Sequence, residues 1–246
     1  MKSLTKILLV ICLLTGPTYI YARSHSPVAI EQSKIEDRHL SGFNAVSLGG
    51  SFDVYITQGS IESVKVEAPD NIQDHIITEV DGGILKIYNK NDHGFHWDDL
   101  FGNHKKIAVY VTAKDLNAIS VSGSGDVFFK EGIHTNSLRL KVSGSGDMNG
   151  KVDVKNLESS ISGSGDVKLS GHADNSAVSV SGSGDFEARG LVTANTIVRV
   201  SGSGDASINA SNSVSASVSG SGDVRYTGGA RSVSSSKSGS GDIQRN

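Results

Sequence analysis

From Phe43 onward the chain alternates apolar and polar residues, and the alternation itself recurs. In the C-terminal half an apolar position is filled by Val121, Val142, Ile161, Val180, Val200 and Val218. Two residues earlier stand Ile119, Leu140, Ser159, Val178, Val198 and Ala216, and between the two columns lie Ser120, Lys141, Ser160, Ser179, Arg199 and Ser217. A period of two is the mark of a strand with one buried face. Helical spacing is absent, so the pattern predicts an all-β chain.

Each of these strands runs into the same five residues, SGSGD, beginning at Ser122, Ser143, Ser162, Ser181, Ser201, Ser219 and Ser238. The copies end in Asp126, Asp147, Asp166, Asp185, Asp205, Asp223 and Asp242, at intervals of 21, 19, 19, 20, 18 and 19 residues. An apolar or small residue follows every aspartate: Val127, Met148, Val167, Phe186, Ala206, Val224 and Ile243. A unit this short cannot bury its own apolar face, and stacking on identical neighbours solves that problem. The prediction is a parallel β-helix, a solenoid of ~19-residue coils with SGSGD corners stacked ~4.8 Å apart. Right-handed coiling is expected because parallel crossovers take that hand. Glycine suits the corner by permitting tight bends and close approach of adjacent coils. Lys237 replaces the recurring Val or Ile, and Ser235 and Arg245 also replace apolar residues, which predicts a polar C-terminal coil that discourages edge-to-edge association.

The stretch 48–59, LGGSFDVYITQG, overlays 121–132, VSGSGDVFFKEG, if Asp53 is placed on Asp126. Phe52 then stands where the later copies have glycine. The plan that follows is a signal peptide at 1–22, a linker at 23–39, a diverged N-terminal β region at 40–115 and a regular solenoid at 116–246. Within the N-terminal region, 89–106 breaks the alternation and reads as a projecting loop.

Composition narrows the class. Lys2 and Lys6, the apolar run Ile7–Leu14 and Ala22 form a secretory signal, so the protein is expected to be exported to the periplasm, the outer-membrane surface or the medium. No later segment approaches the ~20 apolar residues of a spanning helix. The single cysteine, Cys12, lies inside the signal and follows Ile11, which is not the small residue a lipid-anchor site places there. The chain beyond the signal therefore has no disulfide framework. A net charge of −3 without a basic block gives no footprint for nucleic acid.

The segments FNAVSLGGSFDVYITQG, SVKVEAPDNI and TEVDGGILKIY, followed by the repeated SGSGD, resemble the head GIN domain family of auto-transporter adhesins, typical of Bacteroidetes. The resemblance runs from Leu40 to Ile243. It implies an exported or cell-envelope β-helical protein with a role in adhesion, and it transfers no catalytic or binding residue. The chain ends four residues after Asp242, so no C-terminal translocator barrel is expected in this polypeptide.

Two features are candidates for chemistry. The first is the aspartate column, Asp53 included. Neighbouring carboxylates ~4.8 Å apart repel by roughly 1 kcal/mol in water and 3–4 kcal/mol at an effective dielectric of 20. Local turn hydrogen bonds would offset this, and so would calcium ions. The spacing departs from the glycine/aspartate nonapeptide that binds calcium, which favours the structural corner. The second candidate is the loop, with His93, His96, Trp97, Asp98, Asp99 and His104. Its His and Asp side chains are metal-competent, but their spacing fits no standard zinc pattern. Phosphate binding is disfavoured because no SGSG is followed by the lysine and helix of a P-loop. Catalysis is disfavoured because a column of repeats offers no distinct partner acid. The reading is a non-enzymatic adhesion or cell-envelope interaction module without a cofactor, whose partner is a surface glycan or protein. The alternatives are a carbohydrate-binding or carbohydrate-active β-helix and a calcium-stabilised structural module.

Overall fold

A computed structural model describes residues 33–90 and 107–246. In chain order its elements are β1 (Ser33–Asp37), β2 (Ala45–Leu48), β3 (Asp53–Gln58), β4 (Ser63–Pro69), α1 (Asp70–Gln73), β5 (Ile76–Asp81), β6 (Ile84–Asn89), β7 (Ala108–Ala113) and β8 (Ala118–Val121). There follow β9 (Val127–Val142), β10 (Met148–Ile161), β11 (Val167–Val180), β12 (Phe186–Gly202), β13 (Ala206–Gly220), β14 (Val224–Thr227), β15 (Ser232–Gly239) and β16 (Ile243–Arg245). Strand accounts for 68% of the described residues and helix for 2%, and the coils of about 19 residues stack into a β-solenoid of about seven turns.

The alternation produces this stack directly. Val121, Val142, Ile161, Val180, Val200 and Val218 are register partners from coil to coil, and all are buried. Val127, Met148, Val167, Phe186, Ala206 and Val224 form a second buried column on the far side of the corner. Their polar neighbours point outward. β9 to β13 continue as strand through the second bend of each coil. Gly132 and Gly171 lie in that bend at positive φ (109° and 110°), Gly132 within a register shift between β9 and β10.

The N-terminal region belongs to the same stack. Leu48 pairs with Val121 and Val54 with Val127, so Asp53 occupies the corner position that the overlay assigned. The order in space differs from the order in the chain. β2 lies between β6 and β8, and β3 lies between β7 and β9. The end coil is therefore β6 and β7. This coil is capped by antiparallel strands: β5 against β6, β4 against β7 and β1 against β4. The buried amide of Gln73 ties the cap together, donating to the carbonyls of Lys34, Val66 and Ala68 and accepting from Arg38.

Three expected boundaries shift. The linker at 23–39 contains β1, because Ser33–Asp37 pair with Lys65–Pro69. The loop starts no earlier than Lys90, because β6 runs through Asn89 and the Lys90 N–H bonds to the His75 carbonyl. The 115/116 boundary falls inside one compact unit that spans 32–246. At the opposite end, every residue of β15 is exposed, consistent with a polar outer coil.

Candidate functional site

The corner is built by close approach more than by unusual dihedrals. A Cβ on Gly146 would lie 2.1 Å from the Gly125 carbonyl oxygen, and one on Gly165 would lie 2.1 Å from that of Gly146. The first glycine of each copy is under the same constraint: a Cβ on Gly144 would lie 2.1 Å from the Gly123 oxygen. Phe52 stands where the later copies have glycine, and its ring is fully buried in the core. The first serine of a corner donates to the coil below, as Ser122 Oγ does to the Leu48 carbonyl at 3.2 Å.

The aspartates form a ladder. Asp126 Oδ1 accepts the backbone N–H of Asp147 at 2.9 Å, Asp147 that of Asp166 at 2.8 Å, and Asp166 that of Asp185 at 2.8 Å. The series continues through Asp205 and Asp223 to Asp242 at 2.7–2.9 Å. The bonds run between coils, whereas the sequence suggested turn bonds within each corner. Each carboxylate thus serves as the acceptor that fixes the next corner, which offsets the like-charge repulsion along the column. At one place the chain adds its own cation: Arg225 donates to Asp205 Oδ2 and to Asp223 Oδ2, both at 2.8 Å, and these carboxylates hold its guanidinium above the usual arginine range. The ladder ends at Asp242, whose Oδ1 takes the Lys237 ammonium at 2.7 Å in place of another N–H.

A second ladder was overlooked in the sequence. Asn175 Nδ2 donates to Asn156 Oδ1 and Asn195 Nδ2 to Asn175 Oδ1, both at 3.1 Å, and Asn212 donates to Asn195 at 2.8 Å. Asn156, Asn175 and Asn195 each stand ten residues before a corner aspartate, so the signal was present. On the outer face near the N-terminal end, Tyr55 stacks between Tyr110 and Phe128, with centroid distances of 5.4 and 5.2 Å. The rings face one another along the stack and stiffen it. Burial, reinforced by Asp53, pushes the Tyr55 phenol up, while a hydrogen bond to Glu67 does the same for Tyr110.

Beside the aspartate column a groove of about 520 Å³ crosses the outer face of the central coils. Its lining includes Lys168, Ser170, Glu187, Arg189, Ser207 and Arg225. Lys168, Glu187, Ser207 and Arg225 are successive register partners, so they form a line along the stack. Lys168 pairs with Glu187 at 3.0 Å. No repeated residue type in the sequence marks this groove: Asn149, Lys168, Glu187, Ser207 and Arg225 stand at one offset from their corner aspartates but differ in kind.

His93, His96, Trp97, Asp98, Asp99 and His104 lie outside the described residues. Among the described residues, no group of three or more His, Cys, Asp or Glu side chains is arranged to hold a metal ion. No helix among them is long and apolar enough to cross a membrane.

Stacked parallel coils, repeated corners and a polar outer face define a β-solenoid of the kind that presents surfaces. Residues 42–230 match the family model described as "Putative auto-transporter adhesin, head GIN domain", and the chain belongs to that family. A crystal structure of a protein described as a putative adhesin from Bacteroides fragilis is similar, with a TM-score of 0.82 and 29% identity over 88% of this chain and 98% of that one. Two proteins from Parabacteroides distasonis share the fold at 24% identity: one described as a putative adhesin, with a TM-score of 0.71, and one as a putative lipid binding protein, with a TM-score of 0.67. Each of the two alignments covers 87% of this chain and 97% of the other. No curated protein matches the sequence.

Proposed function

We propose that the protein is an exported, non-enzymatic adhesion module of the cell envelope that binds a surface ligand through the outer face of its solenoid. The observation that carries this reading is the groove, a recess of mixed character with Lys168, Asp185, Glu187, Arg189, Asp205 and Arg225 in its lining, on the face of a repetitive solenoid in a chain of an adhesin family. Repetition supports display over catalysis. The same carboxylate recurs at each corner with its Oδ1 engaged by a backbone N–H or by Lys237, so the column offers acceptors already in use and no distinct acid and base. The His-rich segment 91–106, between β6 and β7 in the sequence, is a second contact region in this proposal. The signal-like segment 1–22 and the family support export to the envelope or the medium.

The test is binding of the full chain to arrays of immobilised glycans and extracellular-matrix proteins, with the same chain lacking 92–105 as a second arm. Retention on a defined class of ligand, without chemical change to it, is expected. Turnover of any retained glycan would replace this reading with a carbohydrate-active one, and absence of retention on every surface would remove adhesion.

A further inference from the structure

We propose that β1 is a self-pairing edge, on which the β1 strand of a second copy of this chain adds antiparallel to form a two-fold dimer centred on Ile35. The inference concerns assembly and does not rest on the adhesion reading.

β1 ends the sheet order β1-β4-β7-β3-β9, and among the described residues β4 is its only strand partner. Its main-chain groups point alternately to the two sides. The Lys34 carbonyl accepts from Gln73, whose amide also serves the Val66 and Ala68 carbonyls of β4, and the Arg38 N–H donates to Val64 of β4. Lys34, Glu36 and Arg38 therefore turn their main-chain groups inward. Ser33, Ile35 and Asp37 turn theirs to the free edge, where another strand can take them up.

The side chains select which strand. Ile35 is 58% exposed, and its neighbours in the chain carry opposite charges, Lys34 and Glu36. In an antiparallel pair centred on Ile35, Ile35 meets Ile35, Lys34 meets Glu36 and Ser33 meets Asp37 of the second copy. The two Ile35 residues exchange main-chain hydrogen bonds and cover each other's side chains. The Lys34 and Glu36 pairs then fall at the intervening positions, where opposed side chains approach most closely. Both groups have capacity for this. Lys34 Nζ reaches Asp70 only at 3.7 Å, and the Glu36 carboxylate, 3.1 Å from Arg38, can accept more than one such bond.

Other registers set like charges together. A shift by two residues one way places Lys34 opposite Lys34. The same shift the other way places Glu36 opposite Glu36 and Lys34 opposite Arg38. In-register parallel pairing again brings Lys34 beside Lys34. Like charges directly opposite one another destabilise a strand pair, so the Ile35-centred register is selected. The contact is isologous and closes at two copies. It uses one short strand from each copy, far less than a permanent interface, so the pairs form and part with concentration.

The experiment is sedimentation velocity of the full chain from about 1 μM to about 1 mM, with hydrogen exchange at both ends of that range. A reversible monomer–dimer transition is expected. Protection of the Ile35 amide should rise with concentration, while the Arg38 amide, bonded to β4, stays protected throughout. Lys34→Glu and Glu36→Lys should each dimerise at least ten-fold more weakly than the parent, and an equimolar mixture of the two should restore dimers, because each then supplies the charge the other lacks. Ile61→Lys, at an apolar residue 79% exposed outside β1, should dimerise as the parent does. Matching thermal melts would show that all variants fold. A monomer at every concentration, Ile35 exchange that ignores concentration, dimers indifferent to Lys34→Glu, or a mixture no tighter than either variant alone would each overturn the proposal.

Discussion

Replacing one corner glycine in the middle of the stack tests whether close approach is what the motif exists for. In Gly165→Ala the new Cβ would lie 2.1 Å from the Gly146 oxygen, against the 3.0 Å that real Cβ atoms respect. The coils must part there by the difference, 3.0 − 2.1 = 0.9 Å. The bonds of Ser164 N and Gly165 N to the Gly144 oxygen, at 3.1 and 3.3 Å, then exceed hydrogen-bonding range, as does the 2.8 Å bond from Asp166 N to Asp147 Oδ1. Three bonds at about 1 kcal/mol each give a destabilisation of about 3 kcal/mol. Urea unfolding followed by circular dichroism reads this as a lower midpoint. Gly229→Ala is the control, because nothing lies within 4 Å of its Cβ and its φ is ordinary. It should stay within about 0.5 kcal/mol of the parent. Gly241→Ala meets the Gly222 oxygen at 2.0 Å but sits in the last coil, which can swing away, so its effect should be about half that of Gly165→Ala. If Gly165→Ala unfolds together with Gly229→Ala, the close-approach argument is wrong.

The aspartate ladder makes a second prediction: Asp166→Ala removes the acceptor for the Asp185 N–H and should cost about 1 kcal/mol, while Asp166→Asn keeps an acceptor and should cost less, both read in the same urea assay. Because the ladder is held by backbone N–H groups, a chelator should leave the melting temperature unchanged, and a calcium-dependent rise would restore the calcium-stabilised reading. Lys237→Val places an apolar side chain on the outermost coil and frees Asp242 Oδ1 to accept an N–H, so light scattering should show concentration-dependent association beyond the parent's pairs. The hydrogen bond from Lys237 holds the Asp242 carboxyl below the usual carboxylate range. With the folded value below the unfolded one, its contribution is present above about pH 4 and is lost as pH falls through the lowered value. Exchange protection at Gly241 should therefore survive to lower pH in the parent than in Lys237→Gln, and equal acid loss in the two would contradict the assignment.

The sequence showed those parts of the fold that repeat at a fixed offset. The buried columns at Val121 and Val127, the corner glycines and the polar substitution at Lys237 could all be read because each recurs, or fails to recur, at a set distance from an aspartate. The ladder bonds could not, since a carboxylate that caps its own turn and one that caps the next coil leave the same letters. The asparagine column stood at a constant offset in three coils, but Asn212 slips by one residue from the register and obscures it. The placement of β2 between β6 and β8 had no local signal, because it is decided by pairings between segments dozens of residues apart.

That placement governs the order in which the molecule can assemble. Ala45 must find Ala118, 118 − 45 = 73 residues away, and Val54 must find Val127 at the same separation, whereas later coils meet partners about 19 residues on, as Met148 does with Val167. Loop closure grows costlier with length, and distant pairings slow folding. The first two coils are thus interleaved like the opening turns of a knot, and the coil of β2 and β3 lacks its inner neighbour until the chain has been supplied past residue 127. Once that template is shut, each new length of chain has a finished surface to wind onto. The slow event in folding belongs to the N-terminal end, and the regular coils follow it in sequence.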